Sequence, residues 1–82
     1  MKEDFKMFIE IEGKQINILE GLTWFEKGIF YYYNKKKISM RKLSEQTKIN
    51  IGTIFKTIKK CNLIIKDKYG DIKHLYKYAN YE

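Results

Sequence analysis

A chain of 82 residues has room for one domain and not for two. Hydrophobic residues make up 44% of it, enough for a core, although so small a domain has a thin margin of stability. One cysteine (Cys61) and one histidine (His74) exclude an internal disulfide and a zinc site built on them, and no apolar run approaches a membrane span.

The formal charge is +7, and its distribution says more than its size. Residues 1–34 carry four lysines against six acids. Residues 35–60 carry eight lysines and Arg41 against Glu45 alone. Residues 61–82 carry four lysines and three acids. One central third therefore holds nearly all the positive charge, as a polyanion-binding face would. The lone cysteine predicts a reducing compartment, cytoplasmic or nucleoid-associated, and the stretch "MKEDFKMF" has no signal-peptide pattern.

The first segment, residues 5–19, alternates. Phe5, Met7, Ile9 and Ile11 share one face, and Lys6, Phe8, Glu10 and Glu12 the other. Gly13 interrupts the run where a turn needs positive φ, so a β-hairpin is predicted. Thr23 with Glu26 three residues on is a capping-box signature, and Phe25, Ile29, Tyr32 and Tyr33 follow at helical spacing. A helix over 24–35 is predicted, carrying Gly28 at a cost of about 1 kcal/mol against alanine. Gly28 would leave room for another element to approach.

Residues 39–61 read as two short helices joined by a turn. Ser39 caps the first, whose inward stripe is Met40, Leu43 and Thr47. In the turn "KIN", Ile49 is expected to be buried and Asn50 to cap the second helix. Its apolar stripe is Ile51, Ile54, Ile58 and Cys61, and Asn62 is positioned to end it in a left-handed conformation. In residues 63–78, Leu63–Lys66 and Ile72–Tyr78 flank Gly70, which predicts a second hairpin, followed by the tail "ANYE". Tyr76, Tyr78 and Tyr81 are expected to pack that hairpin on the body. The fold class is α+β.

Two short helices, a three- or four-residue turn and a hairpin resemble the winged helix-turn-helix family of small DNA-binding regulators. Such domains often read Leu-Ala-x-x-x-Gly-Val-Ser-x-x-Thr-Val-x-x-x-Leu-x-x-Leu and then Gly-Leu-Ile. Here Leu43-Ser44 stand for Leu-Ala, Ile49-Asn50 for Val-Ser and Thr53-Ile54 for Thr-Val. Ile58 and Cys61 take the two Leu positions, and Asn62-Leu63-Ile64 stand for Gly-Leu-Ile. The likeness covers residues 39–78, about half the chain. Lys48 departs from a common turn glycine and Thr47 from an apolar residue. The resemblance implies three helices with a C-terminal β-hairpin wing. The N-terminal hairpin is additional to that pattern, and would extend the wing sheet or build a dimer contact.

The helical stripe and the resemblance select the same surface. With Ile51, Ile54, Ile58 and Cys61 inward, the helix turns Gly52, Thr53, Phe55, Lys56, Lys59 and Lys60 wholly or partly outward, as a helix entering a major groove would. Asn50, Gly52 and Thr53 lie at its leading end. Lys56 and Lys59 would reach phosphates or guanine edges, and Arg41 and Lys42 the DNA backbone. Lys66, Lys68, Tyr69 and Lys73 would sit near the wing tip. Phe55 would pack on thymine methyls, or equally fill a crevice or a partner surface. Lysines on a helix face are ordinarily solvated, and Lys35–Lys37 read as a solvated helix end. Cys61 reads as a core thiol, His74 as a strand residue without a catalytic role, and Tyr31–Tyr33 as core plus dimer surface.

No nucleophile–base pair, paired carboxylates, glycine-rich phosphate loop or metal-ligand cluster is visible, so neither an enzyme nor a cofactor is expected. The sequence predicts a homodimeric protein that binds double-stranded DNA and regulates transcription by occupying its site, blocking or recruiting polymerase. The reading from a different class is a winged-helix protein-interaction module docking an acidic partner, and a third is RNA or replication-origin binding through the same face.

Overall fold

The computed structural model describes residues 5–76. They form an α+β fold in the order β1 (Phe8–Ile11), β2 (Lys14–Asn17), α1 (Trp24–Asn34), α2 (Met40–Thr47), α3 (Ile51–Tyr69) and a single 3-10 turn, Lys73–Leu75.

Strands β1 and β2 pair antiparallel, with Phe8 opposite Asn17 and Ile11 opposite Lys14. The two-residue loop puts Glu12 at φ 51° and Gly13 at φ 81°, the two positive values that suit a tight hairpin to the strand twist. Phe5 and Met7 are buried and Ile9 and Ile11 half-buried, while Phe8 and Glu10 face solvent, as the alternation predicts. The Asn17 Oδ1 accepts from the backbone N–H groups of Met7 (3.1 Å) and Leu19 (3.2 Å), which fixes where the hairpin ends and the turn into α1 begins.

Helix α1 starts at the predicted capping box. The Thr23 hydroxyl accepts from the Glu26 N–H at 3.2 Å, and Glu26 Oε1 accepts from the Thr23 N–H at 3.0 Å. Its buried face is Glu26, Ile29, Phe30 and Asn34. The predicted inward Phe25 is exposed, because the stripe is rotated by one residue towards Phe30, which is fully buried. The Phe5 ring lies over Gly28, where a Cβ would come within 3.3 Å of Phe5 Cε2. Gly28 therefore sets how closely the hairpin packs on α1.

Ser39 caps α2, its hydroxyl accepting from the Lys42 N–H at 3.1 Å. Leu43 is buried and Met40 half-buried, but Thr47 is exposed, its hydroxyl turned back to donate to the Leu43 carbonyl at 2.6 Å. Lys48 ends α2 at φ 64°. It takes the left-handed conformation that glycine would hold at that place. Ile49 is half-buried, and its carbonyl accepts from the Ser44 hydroxyl at 2.6 Å, closing the turn. Asn50 Oδ1 then accepts from the Gly52 N–H at 2.7 Å and caps α3.

The principal departure lies in α3. It runs for 19 residues, and the predicted hairpin over 63–78 is absent among the described residues. Leu63–Lys66 is helical and not a strand, Asn62 ends nothing, and residues 73–75 form the 3-10 turn. The physical reason is the apolar period. Ile54, Ile58 and Cys61 are followed by Ile65 at the same spacing, and all four are buried. Continuing the helix buries Ile65, worth about 2 kcal/mol, against the core that α1 already supplies. The helix ends at Gly70, at φ 89°, with Lys66 and Lys68 in the last turn where the helix dipole favours cations. At the other end Ile51, predicted to be inward, is 46% exposed. After the turn, Tyr76 returns to the core against Phe30, ring centroids 5.4 Å apart. Tyr78 and Tyr81 lie outside the described residues.

Helix α3 packs on both α1 and α2. The core gathers Phe5, Met7, Ile18, Leu19 and Leu22 from the N-terminal segment with Ile29, Phe30, Leu43, Ile54, Ile58, Cys61 and Ile65 from the helices.

Candidate nucleic-acid interface

The exposed face of α3 follows from its buried one. With successive side chains about 100° apart, the core row at Ile54, Ile58, Cys61 and Ile65 leaves Phe55, Lys56, Lys59, Leu63 and Lys66 on the opposite arc. All five are exposed, and Phe55 keeps 52% of its surface in solvent. This arc is the predicted basic face, extended by two turns because the helix does not stop at Cys61. Its leading end holds Asn50, Gly52 and Thr53. There the Asn50 amide oxygen is already engaged as the cap, a Cβ at Gly52 would come within 2.9 Å of it, and Thr53 is exposed.

Lys60 does not belong with Lys56 and Lys59. Its Nζ sits 3.0 Å from Glu26 Oε2, with the Glu26 side chain 10% exposed and the Lys60 side chain 64% exposed. Glu26 is held below its usual carboxylate range first by the Thr23 backbone hydrogen bond and then by Lys60, and the same contact pushes Lys60 upward. Lys60 thus closes α3 onto the start of α1. Cys61, one residue on, is enclosed by apolar neighbours, and burial pushes its thiol up to about 12. It is a core residue without nucleophilic character.

The residues expected at a wing tip are redistributed. Lys66, Lys68 and Tyr69 lie on the last turns of α3 and not on a hairpin. The Lys68 ammonium donates to the Glu20 carbonyl at 3.1 Å and lies 5.6 Å from the centre of the Tyr69 ring, tying the helix end to the turn before α1. Lys73 stands exposed on the 3-10 turn, with His74 beside it.

What replaces the wing is a groove between α3 and the segment that follows it. A cleft of about 300 Å³ is lined by Phe55, Lys59 and Asn62 of α3, Met40 of α2, Tyr33 and Asn34 of α1, and Lys73 and Tyr76 beyond. It continues as a second cleft of about 290 Å³ along Leu63 and Lys66 to Asp71. Met40 brings the first turn of α2 to this edge, and Arg41 and Lys42, both exposed, follow it directly. The groove therefore unites Phe55, Lys59, Lys66 and Lys73, and leaves Lys60 and Lys68 outside.

Tyr33, Asn34 and Asn62 were not singled out as groove residues by sequence. Asn34 and Asn62 each stand four residues after a buried apolar residue, Phe30 and Ile58. A lone amide on a core row is the signal that could have found them. Separately, Phe5, Trp24, Phe25 and Ile49 border a more apolar cleft of about 420 Å³. Among the described residues no cluster of three or more His, Cys, Asp or Glu side chains is placed to hold a metal, and no helix is long and apolar enough to cross a membrane.

No protein-family model matches the chain, and no curated protein or solved structure matches it significantly.

Proposed function

We propose that this protein binds double-stranded DNA through the exposed face of α3, with α2 and α3 acting as a helix-turn-helix pair. The observation that carries the reading is the arc of Lys56, Lys59 and Lys66 around Phe55 on the solvent side of one helix. Within it the lysines have only Asp67 as an acidic neighbour on α3, so the face attracts a polyanion. Thr53 and Gly52 lead into the groove, Arg41 and Lys42 meet the backbone, and Lys73 takes the part that a wing would play. Binding is sequence-specific and regulates transcription by occupancy, blocking or recruiting polymerase. The protein is a non-enzymatic, cytoplasmic or nucleoid-associated regulator that needs no cofactor. It works as a homodimer, for which the exposed Trp24 and Phe25 offer an apolar seat.

The test is fluorescence anisotropy of a random duplex of about 30 base pairs at several salt concentrations. The expected result is a fall of log K with log salt corresponding to about six phosphate contacts. Absence of binding at about 50 mM salt, where non-specific attraction is strong, ends the reading.

One observation favours a second reading, a protein-interaction module. Phe55, Trp24 and Phe25 together expose more aromatic surface than a purely ionic face needs. In that case Phe55→Ala abolishes capture of an acidic partner, while duplex affinity is negligible at physiological salt.

A further inference from the structure

The first cleft is more than a gap beside the basic face. Its floor presents amides in a fixed orientation. Asn62 Oδ1 accepts from the Tyr76 hydroxyl at 2.8 Å, so its Nδ2 is left as a donor at the cleft wall. Asn34, 4% exposed, donates from Nδ2 to the Phe30 carbonyl at 3.3 Å, and its Oδ1 accepts from no described residue. One rim carries an aromatic face, Phe55, and Tyr33 lines the cleft from α1. Lys59 and Lys73 stand at the same opening, and among the described residues no acid lines this section, since Asp71 borders only the second cleft. A volume of about 300 Å³ falls at the small end of ligand sites.

We infer that this cleft takes an unpaired nucleotide of a nucleic-acid strand: its base stacks on Phe55 and meets the Asn62 donor and the Asn34 acceptor, and its phosphates lie on Lys59 and Lys73. The inference rests on the nucleic-acid face proposed above and extends it from duplex to single-stranded or locally opened substrate. The chemistry selects this occupant over an apolar peptide. The backbone of an apolar peptide could pair with the amides on the floor, but it would bring no anion to the two lysines. A base supplies a π-face, donors and acceptors in one plane, with phosphate a bond or two away.

The experiment compares a single-stranded oligothymidylate of about 12 nucleotides with a duplex of random sequence, by anisotropy, for the wild type, Phe55→Ala and Asn62→Asp. Asn62→Asp keeps the acceptor for the Tyr76 hydroxyl while removing the donor. The Asn62 side-chain amide resonance is followed in parallel. The expected result is that the oligonucleotide moves that resonance and that both variants lower the oligonucleotide-to-duplex affinity ratio. For Phe55→Ala the fall is roughly 5- to 150-fold, the range of one base–aromatic stack. If the duplex binds but the ratio is unchanged in both variants, the cleft is not a nucleotide site and the basic face stands without it. If neither nucleic acid binds, the face fails and the cleft with it.

Discussion

The Glu26 carboxylate joins two helices: Oε1 accepts from the Thr23 N–H at 3.0 Å and Oε2 meets the Lys60 ammonium at 3.0 Å. The same side chain therefore completes the capping box of α1 and draws α3 against it. Its own backbone carbonyl accepts from Cys61 Sγ at 3.9 Å, one residue from Lys60. Glu26 is thus the polar hinge of the α1–α3 contact.

This gives stability a defined acid dependence. Glu26 titrates below its ordinary value of 4.5 in the folded chain, first because of the Thr23 backbone hydrogen bond and then because of Lys60. A depressed folded value means that the unfolded state binds the proton more tightly. Glu26 therefore contributes fully above about pH 4.5, and that contribution is lost as pH falls through the folded value. Glu26→Gln should remove this part of the acid loss. Glu26→Ala, which also empties the capping box, should cost about 1–2 kcal/mol at neutral pH. Urea denaturation of the three proteins between about pH 3 and 7 checks this. Equal acid slopes for the wild type and Glu26→Gln would remove Glu26 from the account.

The extension of α3 has its own test. Amide and Cα chemical shifts for residues 62–69 should be helical, and exchange protection should run unbroken from Ile54 to Ile65. Ile65→Ala should cost about 2–5 kcal/mol, the price of a cavity in a closed core. Extended-strand shifts over Leu63–Lys66 would contradict the helix. Ile65→Ala costing less than about 1 kcal/mol would place that residue outside the core.

The elements are legible up to Cys61 and not beyond, although Phe25, Thr47 and Ile51, expected inward, are exposed. The hairpin, the two capping residues Thr23 and Ser39 and the Asn50 cap depend on local chemistry: alternation, a glycine at positive φ, and short polar side chains before an apolar run. Leu63-Ile64-Ile65 is a short apolar run, and such runs suit a strand or a buried helix equally. The decision is tertiary, made by the place that α1 provides for Ile65. Asn62 misleads in the same way, since its amide is held by Tyr76, 14 residues on, and not by the helix end. On the candidate face, Lys56 and Lys59 were legible from the stripe. The withdrawal of Lys60 was not, because Glu26 lies 34 positions earlier and only the packing of α1 brings it within reach.

Gly28 illustrates a substitution whose sign is set by its surroundings. Alanine in a helix interior gains about 1 kcal/mol over glycine. Here its Cβ would meet Phe5 at 3.3 Å, and the Phe5 ring is hemmed in by Trp24, Tyr31 and Tyr32 at centroid distances of 5.6, 5.2 and 5.6 Å. The ring has little room to yield, so overpacking offsets the helical gain. Gly28→Ala should leave the thermal midpoint unchanged or lower it. A midpoint raised by several degrees would show that Phe5 moves aside freely.

The lysines of α3 provide the sharpest comparison, since Lys56 and Lys60 are one helical turn apart and differ in what they face. Lys56 has no acid on the α3 surface beside it, whereas Lys60 is drawn to Glu26. A cation already neutralised by a carboxylate releases few DNA counterions, because moving to phosphate would first break the existing pair. Lys56→Ala and Lys59→Ala should each weaken duplex binding and reduce the salt slope by about 1. Lys60→Ala should leave the slope nearly unchanged and instead lower the thermal midpoint by loosening α1 from α3. Anisotropy titrations across salt, paired with thermal melts of the same three variants, separate the two roles. Equal loss of slope in all three would mean that Lys60 abandons Glu26 for phosphate on binding, and the Glu26 carboxylate would then be held below its ordinary range by the Thr23 backbone hydrogen bond without the help of Lys60.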